Sequence, residues 1–221
     1  MIKISKRLEL IASFIDDNSY ICDVGCDHAY LPIYLMETKK NVKVIASDIN
    51  PNPLKIAKDN IKKYNLEKEI KVTLADGINN IDSMVDTVII SGMGGILISN
   101  IIDNKDNLKN INTLVLSPNN EFITVRKKLK QLGFNIIKEK LITENKITYL
   151  IIKAKREKPK FNNYFGILNN NDLDTIYYYT KLLNTNTNIL KKISKKNILK
   201  IIKLKLENIK IKRFLNKKVN L

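Results

Sequence analysis

The chain has 221 residues, enough for one complete hydrophobic core and a small appendage. Hydrophobic residues make up 44% and charged residues 28%, an ordinary globular mixture that excludes a largely disordered protein. The sequence has no run of about 18 apolar residues, and its N-terminus lacks a signal-peptide pattern. We therefore expect a cytoplasmic protein with no membrane partner.

The lysines are distributed unevenly. Residues 1–152 contain 21 Lys/Arg and 18 Asp/Glu, a net charge of +3, whereas residues 153–221 contain 18 and 4, a net charge of +14. The abundance of Lys, Asn and Ile is typical of an AT-rich genome, but that bias acts on both parts and does not explain their difference. A basic tail beside a nearly neutral body favours a polyanionic partner.

Two cysteines, Cys22 and Cys26, and one histidine, His28, are too few for a metal cluster or a disulfide framework. We expect two reduced thiols and no metal.

The first two thirds of the chain alternate between apolar β-type runs and helical patterns. In chain order the predicted elements are a helix over 4–15, a strand over 20–24, a helix over 31–38, a strand over 42–47, a helix over 53–64, strands over 70–74 and 87–90, a helix over 96–102, a strand over 113–116 and a helix over 122–132. This order predicts an α/β fold, a parallel sheet with helices on both faces.

The next two extended segments, 134–142 and 147–154, break this alternation. Only four residues, 143–146, separate them, and a connection that short permits only an antiparallel hairpin. A parallel sheet that ends in such a hairpin is typical of the class I Rossmann-like methyltransferase fold. A dinucleotide-binding Rossmann domain is expected to keep its last strand parallel.

A charged segment over 155–163 is interpreted as a linker, and two helices follow it. The helices are predicted over 173–183 and 190–215, with a turn over 184–188. Their short connection predicts an antiparallel coiled-coil hairpin. A 3/4-spaced seam supports it: Leu190, Ile193, Asn197, Ile201, Leu204, Asn208, Ile211 and Leu215. We therefore divide the chain into a methyltransferase domain over 1–158 and a basic helical hairpin over 159–221.

The first strand leads into a loop that contains Asp23, Gly25 and Asp27. A single glycine lets the backbone turn tightly but falls short of the Gly-x-Gly-x-x-Gly pattern that places a pyrophosphate on a helix N-terminus. Two carboxylates would repel a pyrophosphate, whereas they would attract the cationic methionine portion of S-adenosylmethionine.

Further acids stand at the ends of the second and third strands. Asp48 is placed to accept the ribose hydroxyls of an adenosyl group, although it could instead be the N-cap of the helix that begins near Pro51. Asp76, followed by Gly77, is placed to accept the exocyclic amine of adenine. Three strand-end acids in order favour a bound nucleoside more strongly than any one of them alone.

Small and polar residues end the fourth and fifth strands. Ser91–Gly95 (Ser-Gly-Met-Gly-Gly) allows close packing around a ligand, and Ser117–Asn119 (Ser-Pro-Asn) forms a rigid polar turn beside the same crevice. The Asn/Asp-Pro-Pro-aromatic sequence typical of enzymes that methylate exocyclic amines is missing at the fourth strand. This difference disfavours N6-adenine and N4-cytosine methylation.

Four motifs together resemble the bacterial tRNA (adenine-22-N1)-methyltransferases: Ser5–Leu8, Asp23–Pro32, Ser91–Gly95 and Ser117–Asn119. The resemblance covers essentially the whole chain, including the C-terminal coiled-coil hairpin. It implies S-adenosylmethionine as the cofactor, tRNA as the partner and N1 of adenine 22 as the methylated atom.

The resemblance and the strand-end pattern together give a set of expected site residues. For catalysis, Asp27 is expected to stabilise the developing charge, Tyr30 to stack on or orient the base, and Asn119 to hydrogen-bond its edge. A target base buried in folded tRNA requires base flipping or local opening. The expected cofactor-binding residues are Arg7, Asp23, Gly25, Asp27, His28, Asp48, Ile49, Asp76, Gly77, Gly92 and Met93.

Three alternatives remain open at this point. The chain could be a dehydrogenase that binds NAD in the same crevice, a non-catalytic RNA-binding protein on a methyltransferase scaffold, or a methyltransferase for another RNA base. Oligomeric state is not encoded in any motif, and a monomer is favoured.

Overall fold

The computed structural model describes residues 2–217. The helices are α1 (Lys6–Ala12), α2 (Tyr30–Thr38), α3 (Pro51–Lys63), α4 (Gly95–Ile101), α5 (Phe122–Gln131), α6 (Leu173–Lys192) and α7 (Ile198–Leu215). The strands are β1 (Tyr20–Val24), β2 (Lys43–Asp48), β3 (Ile70–Leu74), β4 (Thr87–Ser91), β5 (Thr113–Ser117), β6 (Phe134–Glu144) and β7 (Ile147–Arg156). Among these described residues, no helix is both long and apolar enough to cross a membrane.

The chain divides into two compact units. The sheet unit comprises Met1–Lys140 and Tyr149–Ile167, and the hairpin unit comprises Leu141–Thr148 and Leu168–Leu221. The tip of the β6–β7 hairpin therefore belongs to the hairpin unit, although most of both strands belongs to the sheet unit.

The seven strands form one sheet in the order β3-β2-β1-β4-β5-β7-β6. Strands β1 to β5 pair in parallel, and β7 runs antiparallel to β5, with Leu114 opposite Ala154. The central strands are almost continuously buried because helices cover both faces of a parallel sheet. The predicted class I methyltransferase sheet with an antiparallel end is confirmed.

The strand order reverses at β1, which lies between β2 and β4. Connections from such neighbouring strands leave in opposite directions, so a crevice opens at their carboxyl ends. This crevice is where the strand-end residues of β1 to β4 come together.

The hairpin connection between β6 and β7 is shorter than predicted. The two strands are joined by Asn145 and Lys146 alone, both with positive φ (51° and 65°). Two consecutive residues in this conformation match the turn type that suits the twist of an antiparallel pair. The predicted antiparallel relation is confirmed, whereas the four-residue loop is wrong.

The predicted linker over 155–163 is also partly wrong. Lys155 and Arg156 belong to β7, and the segment that follows is fixed to the sheet unit by a buried ion pair between Arg126 and Glu139 (2.8 Å). Arg126 also donates to the Tyr164 carbonyl, and Glu139 accepts the Ile167 N–H at 2.8 Å. These contacts need no regular secondary structure, so a search for periodicity could not detect them.

In the hairpin unit, α6 and α7 pack against each other as predicted, but the turn lies elsewhere. Helix α6 runs without a break through 184–188, where the Thr185 and Thr187 hydroxyls donate to carbonyls one helical turn earlier. The buried Asn186 amide donates to Glu207 on α7 at 3.0 Å. The turn is at 193–197, so Leu190, Ile193 and Asn197 of the predicted seam do not lie on α7.

Candidate functional site

A crevice of about 610 Å³ opens at the carboxyl ends of β1 to β4. All eleven residues predicted to bind the cofactor line it, and so does Tyr30. Asn119 does not line the crevice but is fixed to its rim. The fold therefore brings together predicted cofactor residues that lie up to 86 positions apart, from Arg7 to Met93.

The loop after β1 turns tightly against β2. Gly25 has a φ of 73°, and a Cβ atom there would lie 2.3 Å from the Met93 side chain. The N–H groups of Gly25 and Cys26 both donate to the Ser47 carbonyl, at 2.8 and 2.9 Å. A larger residue would have to adopt this positive φ and displace the end of the Met93 side chain, so glycine is the residue that fits here without strain.

Asp48 connects the loops that follow β1 and β2. Its two carboxylate oxygens accept the Asn50 N–H at 2.9 Å and the Asp27 N–H at 3.4 Å, and the side chain is buried. The N-cap of α3 is Asn50, which answers the alternative that Asp48 caps this helix. Each Asp48 oxygen still has acceptor capacity for a ligand hydroxyl.

Asp23 lies beneath the loop, with only 3% of its surface exposed. Burial, and secondarily the charge of Asp48, raises the pKa of Asp23 to about 7. A cation in the crevice would favour the charged form of this carboxyl. The site is therefore electrostatically suited to an ammonium or sulfonium group.

Four aspartates line the crevice: Asp23, Asp27, Asp48 and Asp76. The permanently charged cation among the lining residues is Arg7, whose guanidinium lies 4.9 Å from the centre of the Tyr149 ring. One Arg7 nitrogen also lies 3.5 Å from the point that a Cβ atom at Gly92 would occupy. The crevice thus offers several sites for cations and hydroxyls and one for an anion.

Asp27, His28 and Tyr30 form an accessible cluster at the mouth. The Asp27 side chain is 69% exposed and lies 3.5 Å from the His28 Nε2 atom. The rings of His28 and Tyr30 are 5.7 Å apart, and Tyr30 is 43% exposed. A carboxylate and an aromatic ring are therefore both open to an incoming planar base.

Asn119 follows β5 and is bonded to the loop after β4. Its side-chain nitrogen donates to the Gly92 carbonyl at 2.6 Å, and its backbone N–H donates to the Met93 carbonyl at 2.9 Å. Because the amide nitrogen is committed to Gly92, the amide oxygen is left as an acceptor for a donor on the substrate.

Sequence reasoning missed Tyr149 and the apolar wall formed by Leu97 and Ile101. Both wall residues lie on α4 and line the crevice, and a Cβ atom at Gly77 would lie 3.1 Å from Ile101. Their spacing of four residues places them on one helix face, which could have revealed them. Tyr149 carries no comparable signal, because its contact with Arg7 depends on sheet pairing.

The two cysteines are buried free thiols. Burial, followed by the charge of Asp23, raises the pKa of the Cys22 thiol to about 12 and that of Cys26 further still. Within residues 2–217, no group of three or more His, Cys, Asp or Glu side chains is arranged to hold a metal ion.

These donors and acceptors fit S-adenosylmethionine. The ribose hydroxyls require acceptors, the adenine requires an apolar slot with one acceptor, and the amino acid portion requires one anion and one cation site. The crevice contains each of these.

Residues 4–152 match a family model described as a methyltransferase domain. The chain is 34% identical to the tRNA (adenine(22)-N(1))-methyltransferase of Bacillus subtilis (strain 168) over 156 residues, which cover 70% of this chain and 66% of that enzyme. The alignment therefore spans just under two thirds of the Bacillus protein's own length.

Solved structures match over nearly the entire chain. Sp1610 of Streptococcus pneumoniae, a candidate tRNA (m1A22) methyltransferase, is 31% identical with a TM-score of 0.91, over 97% of this chain and 100% of that one. It has also been solved in complex with S-adenosyl-L-methionine. M. capricolum TrmK in complex with S-adenosyl-homocysteine is 29% identical with a TM-score of 0.87, over 96% of this chain and 98% of that one.

The fold, the crevice and these similarities lead to one assignment. The chain belongs to the methyltransferase-domain family and, within it, to the bacterial tRNA (adenine-22-N1)-methyltransferases.

Proposed function

We propose that this protein transfers the methyl group of S-adenosylmethionine to N1 of adenine 22 in tRNA. The observation that carries the proposal is the single crevice in which four aspartates, one arginine and an exposed aromatic cluster meet. Membership of the family removes the alternative of an NAD-dependent dehydrogenase.

The cofactor-binding roles follow from the chemistry of each side chain. We assign the ribose hydroxyls to Asp48, the adenine to Asp76, Gly77 and the wall of Leu97 and Ile101, the ammonium group to Asp23, and the carboxylate to Arg7. The remaining predicted cofactor residues shape the walls: Gly25, Asp27, His28, Ile49, Gly92 and Met93. S-adenosylmethionine supplies the electrophilic methyl group when it is bound.

The chain's own residues have little proton chemistry to perform. Adenine N1 carries a free lone pair at neutral pH, so no base is needed before the methyl group is transferred in line. The methylated base is cationic, so the exposed Asp27 carboxylate stabilises the charge as it develops. Tyr30 stacks on the base, and the Asn119 amide oxygen accepts a hydrogen bond from the exocyclic amine of the base.

We assign tRNA binding to the basic C-terminal part, beginning near residue 159, and cofactor binding to residues 1–158. Of the described residues from 168 to 217, twelve are Lys or Arg and three are Asp or Glu, which gives a net charge of +9. Such a surface attracts phosphates without reading sequence. Since tRNA is the proposed substrate, we also propose a cytoplasmic location, and we expect a monomer.

Position-specific mapping of the methylated base tests the proposal. An unmodified tRNA transcript is incubated with the full-length protein and S-adenosylmethionine, and reverse transcription locates stops, because a methyl group on N1 blocks base pairing. We expect one new stop at adenine 22 and none in a transcript with guanine at that position. A stop at another adenine, or methyl incorporation without any stop, would overturn the assignment of the target atom.

A further inference from the structure

We propose that Tyr149 is a positioning residue for the cofactor: its ring holds the Arg7 guanidinium where it binds the carboxylate of the methionine portion. This inference rests on the proposed use of S-adenosylmethionine. It concerns a residue that has no role in the assignments above.

Arg7 and Tyr149, both in the sheet unit, make a cation–π contact. The central carbon of the guanidinium lies 4.9 Å from the centre of the Tyr149 ring, inside the range of about 6 Å over which this attraction acts. Both side chains are half-buried, so solvent screens the attraction only partly. An arginine that stacks through its flat face keeps its N–H edges free to bind a carboxylate in bidentate geometry.

Arg7 has no carboxylate partner among the described residues, although four aspartates line the same crevice. The ion pairs found in residues 2–217 engage other side chains, including Asp16, Asp27, Asp103 and Glu139. The ring therefore takes the place that an acidic residue would occupy beside a structural arginine. Because no acid neutralises it, the full charge of Arg7 remains available to a ligand.

The electrostatics of the crevice make the position of Arg7 decisive for an anionic group. The ionised lining acids repel a carboxylate, so a ligand carboxylate gains only where the single guanidinium is close. An arginine side chain has many rotamers, and holding one of them has an entropic cost that a preformed stack reduces. Arg7 lies near the start of the short helix α1, which leaves its side chain to be fixed by tertiary contacts.

Tyr149 is well placed for this role because its backbone belongs to the sheet. It lies on β7, which pairs antiparallel with β5, with Ile152 opposite Leu116. The neighbouring Leu150, Ile151 and Ile152 are fully buried. The Tyr149 ring therefore belongs to a strand with a buried backbone, whereas Arg7, which it contacts, belongs to a short helix.

A ligand that lacks only the carboxylate separates this role from a structural one. Binding of S-adenosylhomocysteine and of its decarboxylated analogue is measured by calorimetry for the wild type, Tyr149→Phe and Tyr149→Leu. We expect Tyr149→Leu to weaken the binding of S-adenosylhomocysteine about 3- to 30-fold, the range of a partly buried cation–π contact. The affinity of Tyr149→Phe should stay within about twofold of the wild-type value. All three proteins should bind the decarboxylated analogue equally well.

The matched control is Tyr20→Leu. The Lys43 Nζ atom lies 5.9 Å from the centre of the Tyr20 ring, which is a contact of the same type. Tyr20 does not line the crevice. This variant should leave both affinities unchanged. The double variant Arg7→Ala with Tyr149→Leu should bind no more weakly than Arg7→Ala alone, because the tyrosine acts only through the arginine.

Equal weakening of both ligands by Tyr149→Leu would overturn the inference, and so would additive losses in the double variant. If Tyr149→Leu does not fold, the inference is decided by Arg7→Ala and Tyr149→Phe. It then requires that Arg7→Ala lose affinity only for the ligand with a carboxylate and that the phenylalanine variant bind normally. If the wild type binds neither ligand, the proposed function fails rather than this inference.

Discussion

The sheet unit and the hairpin unit of this chain are specified in different ways. The sheet unit contains 25 Lys/Arg and 18 Asp/Glu in 159 residues, and its crevice depends on tight turns such as the one at Gly25, where φ is 73°. The hairpin unit contains 14 Lys/Arg and 4 Asp/Glu in 62 residues, and many of its side chains are exposed. The crevice depends on geometry and the proposed tRNA-binding surface on charge, so substitutions that keep the charge should damage the crevice more than that surface.

The largest expected effect is on chemistry at the mouth of the crevice. Asp27→Asn should lower methylation of tRNA about 10²-fold or more, because the developing positive charge loses its carboxylate partner. Affinities for tRNA and for S-adenosylhomocysteine should stay within a few-fold. Single-turnover rates at saturating cofactor measure the effect, with Asp59→Asn, an exposed acid on α3, as the control.

If Asp27→Asn turned over as fast as the wild type, the role assigned to Asp27 would be wrong. If the wild type bound tRNA tightly but showed no turnover at all, the alternative of a non-catalytic RNA-binding protein would gain support instead.

The second prediction concerns the charge of the hairpin unit. Replacing the exposed Lys200, Lys203, Lys205 and Lys212 with Gln should weaken tRNA binding at least about tenfold and reduce its salt dependence by about 0.9 in log–log slope per lost phosphate contact. Replacing the same four with Arg should change little. Filter binding over a salt series checks both variants.

A different result would contradict the assignment of phosphate binding to the hairpin unit. If the Gln variant kept both its affinity and its salt slope, the phosphate contacts would have to lie in the sheet unit. Sedimentation of the same variants would then show whether the lysines instead serve an assembly of copies.

The two units also differ in how well they could be predicted from sequence. In the sheet unit, the buried strands are short apolar runs bounded by polar residues, and β1 and β3 were predicted with their observed bounds. The strand-end acids could be placed because parallel strands bring their carboxyl ends to one edge. In these elements the local pattern and the tertiary environment favour the same structure.

The failures arise where tertiary contacts override local preference. Residues 184–188 (Asn-Thr-Asn-Thr-Asn) have low helix propensity, yet α6 continues through them because Asn186 is buried and bonded to Glu207. Tyr149 was missed for a related reason, since only the assembled sheet brings it to Arg7. Sequence patterns report neighbours within one element, and both contacts join residues from different elements.

The third prediction tests the geometric side of the comparison at Asp48. Asp48→Ala should weaken S-adenosylhomocysteine by about 1.5–3 kcal/mol for each charged acceptor bond lost, or about 10- to 150-fold. Asp48→Asn keeps one acceptor oxygen, so its affinity for S-adenosylhomocysteine should lie between those of Asp48→Ala and the wild type. Unchanged affinity in calorimetry would mean that Asp48 serves only to connect the two loops through the N–H groups of Asn50 and Asp27.

The smallest predicted effect is a pH dependence of cofactor binding that originates at Asp23. Its pKa is raised to about 7 by burial and by Asp48, so the empty crevice holds a proton on this carboxyl below neutral pH. A cationic ligand lowers that pKa, so the complex binds fewer protons than the free protein. Affinity should therefore rise as pH increases through 7, by at most about tenfold per pH unit on the acidic side.

Calorimetry of S-adenosylhomocysteine at pH 6, 7 and 8 measures this dependence, and titrations in buffers of different ionisation enthalpy count the released proton. We expect binding several-fold weaker at pH 6 than at pH 8 in the wild type and a flat profile in Asp23→Asn, which cannot titrate. The decarboxylated analogue keeps the ammonium group, so its affinity should show the same pH dependence. A profile that remains steep in Asp23→Asn would show that the proton is released by a group other than Asp23.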